Sequence, residues 1–374
     1  MNHVKLQAYG FDDKTVAWIL SFLSNRQQRV VLDDFKSDWN EVLSGVPQGS
    51  VLGPLLFTVF INDMPKLTTH PCKLFADDSK LVGIIKNDLD SQNLQEDLNK
   101  LVKWSTYWRM LFNPDKCKVM HIGQEKTPKF PNSVPPTTKR TCKRIPREYT
   151  IFDSSTNTTI PLAKTTQERD LGITITNDIK WHTQAKIAAN KATRAMGMLK
   201  RTFKHWDIQS FKTLYCSTVR PHLEYASTAW SPHMKQDIKT LERVQRQATK
   251  VIRSIAHLPY DQRLKIVGLT RLSIRRDRGD AIQYFKCKNN YNYIAWHHIN
   301  TLSNSLSSTG PARGIRGKPH RIIRQLIKNC PPRDNFFSNR VAKIWNSLPE
   351  EVVNAGSINA FKNRYDKHHG HPTQ

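Results

Sequence analysis

Two adjacent carboxylates, Asp77 and Asp78, lie between two short apolar stretches in the run of residues 72–82. Phe, Leu and Val favour strands and Asp tolerates turn conformations, so this run predicts two antiparallel strands joined by a tight turn. Such a hairpin holds both acids at its tip, where they repel each other unless a cation lies between them. Hard divalent ions such as Mg²⁺ bind carboxylate oxygens and usually share their coordination shell with phosphates. For an Asp-Asp pair considered alone, a solvated polar turn is the alternative.

A loop that contains several glycines precedes this run. Gly45, Pro47 and Gly49 predict a backbone that can approach another molecule closely, because glycine lacks the side chain that would block it. Gln48 adds an amide that can donate and accept hydrogen bonds. An apolar helix is predicted to follow over residues 51–64. Considered alone, this is a loop-to-helix junction, and many structural loops look similar.

These two segments, in this order, resemble the reverse transcriptase of LINE-type (non-LTR) retrotransposons. The templating-strand loop of that family is similar to residues 45–54, and its catalytic hairpin is similar to residues 75–78. The resemblance covers nearly the whole chain and includes the thumb of jockey-like elements. It continues through residues 104–108, 112–118, 170–173, 214–230, 241–245 and 344–349.

The resemblance implies an RNA-directed DNA polymerase that transfers nucleotides by a two-metal mechanism, with Mg²⁺ or Mn²⁺ as the cofactor. The implied partners are an RNA template with a DNA primer, or an RNA–DNA hybrid, and deoxynucleoside triphosphates. The implied catalytic residues and metal ligands are Asp77 and Asp78, and the residues implied to contact the template and nucleotide are Gly45, Pro47, Gln48 and Gly49. The resemblance also implies Leu171 and Gly172 in the primer grip, and Lys116 or Lys118 as general acid. Either of these two lysines could equally be an exposed side chain without a role.

In this family a third carboxylate lies on a strand upstream of the segment that resembles residues 5–10. We therefore expect that this strand and the fingers are missing, so that the chain is an N-terminally truncated polymerase with impaired turnover. Asp12 and Asp13 precede an apolar-periodic segment, and they are predicted to begin a helix rather than bind metal. The alternative function is a non-catalytic nucleic-acid-binding remnant or a domesticated transposon protein.

Charge is distributed unevenly along the 374 residues, which carry a net charge of +27. Residues 1–100 contain 13 acidic and 10 basic residues, whereas the remainder contains 18 and 48, a net charge of +30. A strongly basic part suits a thumb that follows a phosphate backbone, although a generic basic surface is the alternative.

A helix predicted over residues 183–203 would bury an apolar stripe and offer a basic stripe to phosphates. For any single basic residue, a solvated charged face is the alternative. The basic residues are Lys186, Lys191, Arg194, Lys200 and Arg201.

The predicted fold class is α+β, with a partial polymerase palm of antiparallel sheet and helices followed by a helical thumb and C-terminal region. The palm is predicted over residues 1–178, with an insertion rich in proline and basic residues at 123–147. The thumb is predicted over residues 179–260, with helices near 183–203, 207–229 and 235–256. A basic helical region is predicted over residues 261–374.

Six scattered cysteines without close pairs argue against a disulfide framework and against a Cys-x-x-Cys zinc site. No apolar run approaches the length of a membrane span, and the N-terminus does not resemble a signal peptide. We therefore expect an intracellular, non-secreted protein without membrane contact, in the nucleus or the cytoplasm. No sequence feature indicates a protein partner.

Overall fold

The computed structural model describes residues 3–123, 148–154, 156–292, 322, 324–327 and 329–371. These residues divide into two compact units. The first contains residues up to 119 together with 148–164, and the second contains 120–123 and the described residues from 165 onward. The predicted insertion, apart from Gly123, lies outside the described residues.

The first unit mixes helices with short strands. Its helices are α1 (His3–Ala8), α2 (Asp13–Leu23), α3 (Leu52–Ile61) and α4 (Asp88–Tyr107), with 3₁₀ helices at Met64–Leu67 and Pro114–Lys116. Its strands are β1 (Gln27–Gln28), β2 (Val31–Leu32), β3 (Phe35–Lys36), β4 (Asn40–Glu41), β5 (Cys72–Phe75), β6 (Asp78–Leu81), β7 (Lys118–Val119), β8 (Thr150–Asp153), β9 (Thr158–Pro161) and β10 (Ala163–Lys164).

Side-chain caps begin the two longer surface helices of this unit. The Asp12 carboxylate accepts a hydrogen bond from the Thr15 backbone N–H at 3.0 Å, which satisfies a free donor of the first turn of α2. The prediction that Asp12 begins a helix is therefore confirmed. Asn87 and Asp90 form a reciprocal capping box at the start of α4.

The core of the first unit lies in two clusters. One contains Leu6, Val16, Ile19 and Leu56, which join α1, α2 and α3. The other contains Ile61, Met64, Leu101 and Trp104, and Trp108 packs against it.

The mixed helix-and-strand content agrees with the predicted α+β class, but the described residues do not form the expected antiparallel palm sheet. Their strands pair only two by two, and the β7–β10 pair is parallel. The strands contain only two to four residues each. Such short strands make few ladder hydrogen bonds, and every residue of β1, β2, β3 and β4 is exposed, so these strands have no buried face on which a wider sheet could pack.

The second unit is mainly helical. Its strands are β11 (Gln167–Asp170) and β12 (Ile173–Thr176), and a π-helical turn covers Tyr215–Val219. Its α-helices are α5 (His182–Thr202), α6 (Ile208–Leu214), α7 (Arg220–Glu224), α8 (Ser227–Trp230), α9 (Lys235–Ala248), α10 (Tyr260–Val267), α11 (Leu272–Lys288), α12 (Pro331–Asp334), α13 (Phe337–Ser347), α14 (Glu350–Val353) and α15 (Ile358–His368).

The helix predicted over residues 207–229 is present but ends early, because α6, the π-helical turn and α7 run without interruption from Ile208 to Glu224. The chain leaves helical geometry at Tyr225 and Ala226, where Ala226 has a left-handed φ of 50°, and α8 is a separate segment. Trp230 Nε1 donates to the Tyr225 carbonyl at 2.7 Å across this break, and the Trp230 side chain is fully buried in the helical core. Tertiary packing here outweighs local helix preference.

Two buried, bidentate ion pairs join α11 to the C-terminal helices. Arg278 donates to both oxygens of Asp366 at 2.6 and 2.7 Å, and Arg340 donates to Asp280 at 2.6 and 3.0 Å. Both carboxylates are nearly inaccessible to solvent. Removing one partner would leave an uncompensated buried charge, so these pairs fix how α13 and α15 lie on α11.

Among the helices of the described ranges, none combines the length and the apolar composition that a membrane span requires.

A buried lysine joins the N-terminal helix to the second core cluster. Lys5 is 6% exposed, and its Nζ donates to the Phe60 carbonyl at 2.6 Å and to Asp63 at 2.9 Å. The same nitrogen lies 3.8 Å from the ring centroid of Trp108 and 4.8 Å from that of Trp104. Burial lowers the pKa of Lys5, and the bond and charge of Asp63 oppose that shift. The ammonium is thus enclosed by aromatic faces and polar oxygens.

We expect Lys5→Met to lower the free energy of unfolding by about 1–3 kcal/mol, because the Phe60 carbonyl loses its donor and the cation–π contacts disappear. Urea unfolding followed by tryptophan fluorescence measures this loss. Lys14→Met, on the exposed side of α2, is the control and should change stability by less than about 0.5 kcal/mol. Equal effects of the two substitutions would contradict the assigned role of Lys5.

Candidate functional site

The predicted hairpin around the paired aspartates is present. β5 and β6 are antiparallel, and Phe75 lies opposite Asp78, so that Ala76 and Asp77 form a two-residue turn. Ala76 has a φ of 50°, a left-handed conformation that costs a non-glycine residue about 1 kcal/mol. Asp77 at the turn and Asp78 beside it are both exposed. The hairpin therefore presents two neighbouring carboxylates to solvent.

The other end of this hairpin is anchored in the protein. Leu74 and Leu81 pack against the core cluster that contains Ile61 and Leu101, and Cys72 at the start of β5 is buried. Alternation along the strands explains this arrangement, because side chains two residues apart share one face. The apolar face is held by α3 and α4, and the acidic tip lies beyond it.

A buried carboxylate fixes the chain just before β5. Asp97, on α4, is inaccessible to solvent and accepts hydrogen bonds from the backbone and side chain of both Thr69 and His70, and from Lys100 Nζ, at 2.8–2.9 Å. Burial by itself would raise the pKa of Asp97, but the hydrogen bonds from Lys100, His70 and Thr69 outweigh it and hold that pKa well below its usual range. The ionised carboxylate thus holds the segment that leads into the hairpin.

The glycine-containing loop is held by two side-chain hydrogen bonds to its backbone and is otherwise open. Arg26 Nη2 donates to the Gly45 carbonyl at 2.8 Å, and Ser50 Oγ donates to the Pro47 carbonyl at 2.8 Å. Gly45 and Gly49 have φ values of 82° and 84°, which favour glycine, and a Cβ built on either would meet nothing within 4 Å. Gln48, between them, is exposed. The loop therefore exposes backbone that a ligand can approach.

The two candidate general acids follow the 3₁₀ helix at Pro114–Lys116. Lys116 ends that helix, and Lys118 begins β7, where it pairs with Ala163 of β10. Both lysines are exposed.

In the second unit, the predicted primer-grip residues form the tip of another hairpin. Asp170 pairs with Ile173, so Leu171 and Gly172 are a two-residue turn with φ values of 45° and 83°. Positive φ at both positions is the type I′ geometry that matches the twist of paired strands. Leu171 and Gly172 therefore both belong to the turn. The Tyr225 hydroxyl donates to the Leu171 carbonyl at 3.0 Å and supports this strained turn.

The apolar and basic stripes that the sequence predicts on α5 are confirmed, because the apolar stripe is buried and the basic stripe is exposed. Ala185, Ala188, Ala192 and Leu199 are among its buried residues, and they pack into the helical core. The predicted basic side chains are all exposed: Lys186, Lys191, Arg194, Lys200 and Arg201. One of them, Lys191, lines a cavity of about 260 Å³ together with Gly172 of the primer-grip turn. The structure thus brings part of the basic face and this turn to one cavity.

Within the described ranges, no group of three or more His, Cys, Asp or Glu side chains is arranged to hold a metal ion. The oxygen donors exposed at the hairpin tip are the two carboxylates of Asp77 and Asp78. Such a pair suits a hard divalent cation that completes its shell with ligand phosphates and water.

Sequence reasoning missed the residues that position this site. Asp97 looks like any polar residue of an amphipathic helix, and its partners Thr69 and His70 lie far away in sequence. Arg26 and Tyr225 likewise act on distant backbone carbonyls. A weak signal for Asp97 existed, because an acid three residues before Lys100 can pair along a helix.

Comparison with known proteins gives this geometry a context. Residues 2–175 match the family described as reverse transcriptase (RNA-dependent DNA polymerase). Over 108 residues the chain is 36% identical to the RNA-directed DNA polymerase from mobile element jockey of Drosophila melanogaster, which covers 26% of this chain and 12% of that protein. A longer match of 330 residues, at 23% identity, is to the jockey polymerase of Drosophila funebris, with 84% of this chain and 32% of that protein covered.

A third relative is the probable RNA-directed DNA polymerase from transposon X-element of Drosophila melanogaster. It is 22% identical over 330 residues, which cover 83% of this chain and 32% of the relative. The chain therefore spans about a third or less of the length of these relatives. The paired aspartates and the loop at 45–49 both lie in the segment that matches the family.

We expect Asp97→Asn to lower the free energy of unfolding by about 2–4 kcal/mol at pH 7, because an amide cannot satisfy the donors that converge on the carboxylate. Urea unfolding measures this, with exposed Asp38→Asn as the control that should have little effect. Because the folded-state pKa is lowered, the contribution of Asp97 is complete above the unfolded value near 3.8 and is lost as pH falls toward the folded value. A difference between the variants that grew on acidification would contradict this.

Proposed function

Because residues 2–175 belong to the reverse transcriptase family and resemble jockey-like non-LTR elements, we propose that this chain is part of an RNA-directed DNA polymerase. It transfers deoxynucleotides from deoxynucleoside triphosphates to a DNA primer on an RNA template, and pyrophosphate leaves. The observation that carries the proposal is the exposed Asp77–Asp78 pair at the tip of a core-anchored hairpin within the matched segment. The alternative class, a nucleic-acid-binding protein without turnover, is favoured by the basic face of α5 alone.

Reverse transcriptases generally use divalent metal ions, and the residues present suit one. Asp77 and Asp78 offer carboxylate oxygens, the ligands that Mg²⁺ and Mn²⁺ prefer, next to open space for the phosphates of a nucleotide. When bound, such an ion polarises the phosphoryl group and makes the primer 3′-hydroxyl a better nucleophile. The role of this chain is to hold the carboxylates at a fixed point, through Leu74, Leu81 and the support of Asp97.

The loop at 45–49 is proposed to bind the template strand and the incoming nucleotide. The open space around Gly45 and Gly49 lets a sugar or base approach the backbone, and the exposed Gln48 amide can donate to it and accept from it. Arg26 and Ser50 hold the loop through hydrogen bonds to the Gly45 and Pro47 carbonyls. A loop that is already held in place gives up little conformational entropy on binding.

One of the two lysines after α4 is proposed to complete the proton balance of the reaction. The primer hydroxyl loses a proton as it attacks the α-phosphorus, and the pyrophosphate leaves with additional negative charge. A lysine ammonium can transfer a proton from Nζ to that leaving oxygen. The side chains of Lys116 and Lys118 are both exposed.

The second unit is proposed to bind the nucleic-acid backbone. Exposed lysine and arginine side chains of α5 neutralise phosphates, and the Leu171–Gly172 turn offers a rigid contact for the primer. Contacts to phosphates do not distinguish one base from another, so the affinity that they supply is independent of sequence. This affinity falls as the salt concentration rises, because the charge contacts release counterions.

Replacing both Asp77 and Asp78 by Asn should lower primer extension on poly(rA)–oligo(dT) by at least roughly a hundredfold, because the carboxylates that hold the ion are gone. The chain contains a matched control, since Asp33 and Asp34 also form an exposed two-residue hairpin turn. Asp33→Asn/Asp34→Asn should extend primers normally. Calorimetric Mn²⁺ binding in the presence of dTTP provides a second measurement and should be weakened only by the first pair. Binding that is equal in all three proteins would contradict the assignment.

Replacing Lys186 and Lys191 by Gln should weaken binding to RNA–DNA hybrid and reduce the slope of log K against log salt by about 2, because each lost phosphate contact contributes about 0.9. Fluorescence anisotropy at several salt concentrations measures both quantities. Lys343→Gln/Lys367→Gln removes the same charge from exposed positions on α13 and α15. This control should leave the slope unchanged. An equal decrease of the slope in both variants would mean that net charge alone explains the effect, and it would contradict the role proposed for α5.

A further inference from the structure

A second cavity of the second unit lies where the strands β11 and β12 meet the first turns of α5 and α9. Its volume is about 520 Å³, within the range of pockets that bind small ligands. Most of its lining residues have polar side chains. They include Gln167, Asn177, His182, Thr183 and Gln236, and Met234 lines the cavity as well.

The ionisable groups of this cavity already contact one another. His182 Nδ1 lies 2.7 Å from Asp237, whose side chain is only 3% exposed, and Lys180 Nζ lies 3.4 Å from Asp178. The Asp178 carboxylate also accepts from the Lys180 backbone N–H and the Thr176 hydroxyl. Groups that already bind one another are not arranged around a separate ion. The cavity is therefore not built as an ion site.

The other polar side chains that line this cavity are neutral. In the part of the chain that the structure describes, the side chains of Gln167, Asn177, Thr183 and Gln236 make no hydrogen bond, although they line the same cavity. The Met234 side chain, 47% exposed, adds an apolar and polarisable surface. Amides beside an apolar surface match a flat ligand with donors and acceptors on its edge and an apolar face. A nucleobase has this chemistry.

Exposed lysine side chains begin one turn away from the cavity. Lys186 follows His182 by four residues on α5, so both lie on the same side of that helix, and Lys186 is exposed. On α9, exposed Lys235 and Lys239 flank Gln236. A nucleotide whose base entered the cavity would have its phosphates near these lysines.

We propose that this cavity binds one unstacked base of a single-stranded nucleic acid, with Met234 against the base face and Gln236 and Asn177 on its edge. The inference rests on the proposed function for the nature of the polymer, but it assigns a separate site. The cavity would select unpaired segments, because a base in a duplex cannot enter it without leaving its stack.

The test compares three oligomers of equal length: single-stranded RNA, the same backbone without bases, and duplex RNA. Asn177→Ala/Gln236→Ala should weaken binding of single-stranded RNA about tenfold, which corresponds to about 1.4 kcal/mol for two hydrogen bonds. Binding of the abasic oligomer and the duplex should not change. Asn190→Ala/Gln247→Ala, which removes exposed amides from the same helical region, is the matched control and should leave all three affinities unchanged.

A measurement on the unsubstituted chain covers the case in which the double variant fails to fold. RNA that contains 4-thiouridine is photocrosslinked to the chain, and crosslinks are expected within residues 166–183 or 234–237. Crosslinks confined to other segments, or an equal loss of affinity for the abasic oligomer, would overturn the cavity assignment while salt-dependent binding remained. A chain that bound none of the three oligomers would overturn the proposed function as well.

Discussion

The hydrogen bonds that converge on the buried Asp97 carboxylate determine where the paired aspartates lie. They tie Thr69 and His70, which precede β5, to helix α4. Leu74 on β5 and Leu81 on β6 then pack against the core, which holds both strands of the hairpin in place. A carboxylate with so many donors stays ionised despite its burial, and the segment it holds has one preferred geometry. Fixed geometry at the tip is the property that phosphoryl transfer demands of its ligands.

Burial divides the charges of this chain into two classes with different roles. The buried carboxylates of Asp280 and Asp366 meet arginines in bidentate contacts, and they organise helices rather than ligands. The lysines and arginines of α5 instead remain exposed above an alanine-rich buried stripe. Small residues on that stripe allow α5 to pack closely in the core, while its lysine and arginine side chains remain exposed to solvent. The same helix thus supplies packing on one face and positive charge on the other.

Features that depend on local pattern could be predicted from the sequence. Strand alternation around Asp77 and Asp78, the helical period of α5 and the cap at Asp12 each express short-range geometry. Features that depend on tertiary contacts could not. The helix break at Ala226 is stabilised by hydrogen bonds of Trp230 and Tyr225 to backbone carbonyls, and the neutral cavity combines residues of β11, β12, α5 and α9. No local pattern marks such partners before the chain has folded.

Exposure alone does not distinguish the two Asp-Asp turns of the first unit. Asp33 and Asp34 form an exposed hairpin turn, as Asp77 does together with Ala76. The difference lies in their support, because the strands beside Asp33 are exposed at every residue, whereas β5 and β6 bury Cys72 and pack Leu74 and Leu81 on the core. A ligand-binding carboxylate needs a rigid element beneath it, since each degree of freedom left to it must be lost on binding. Only the second hairpin meets that condition, so the proposed catalytic role depends on the packing beneath the aspartates as much as on the aspartates themselves.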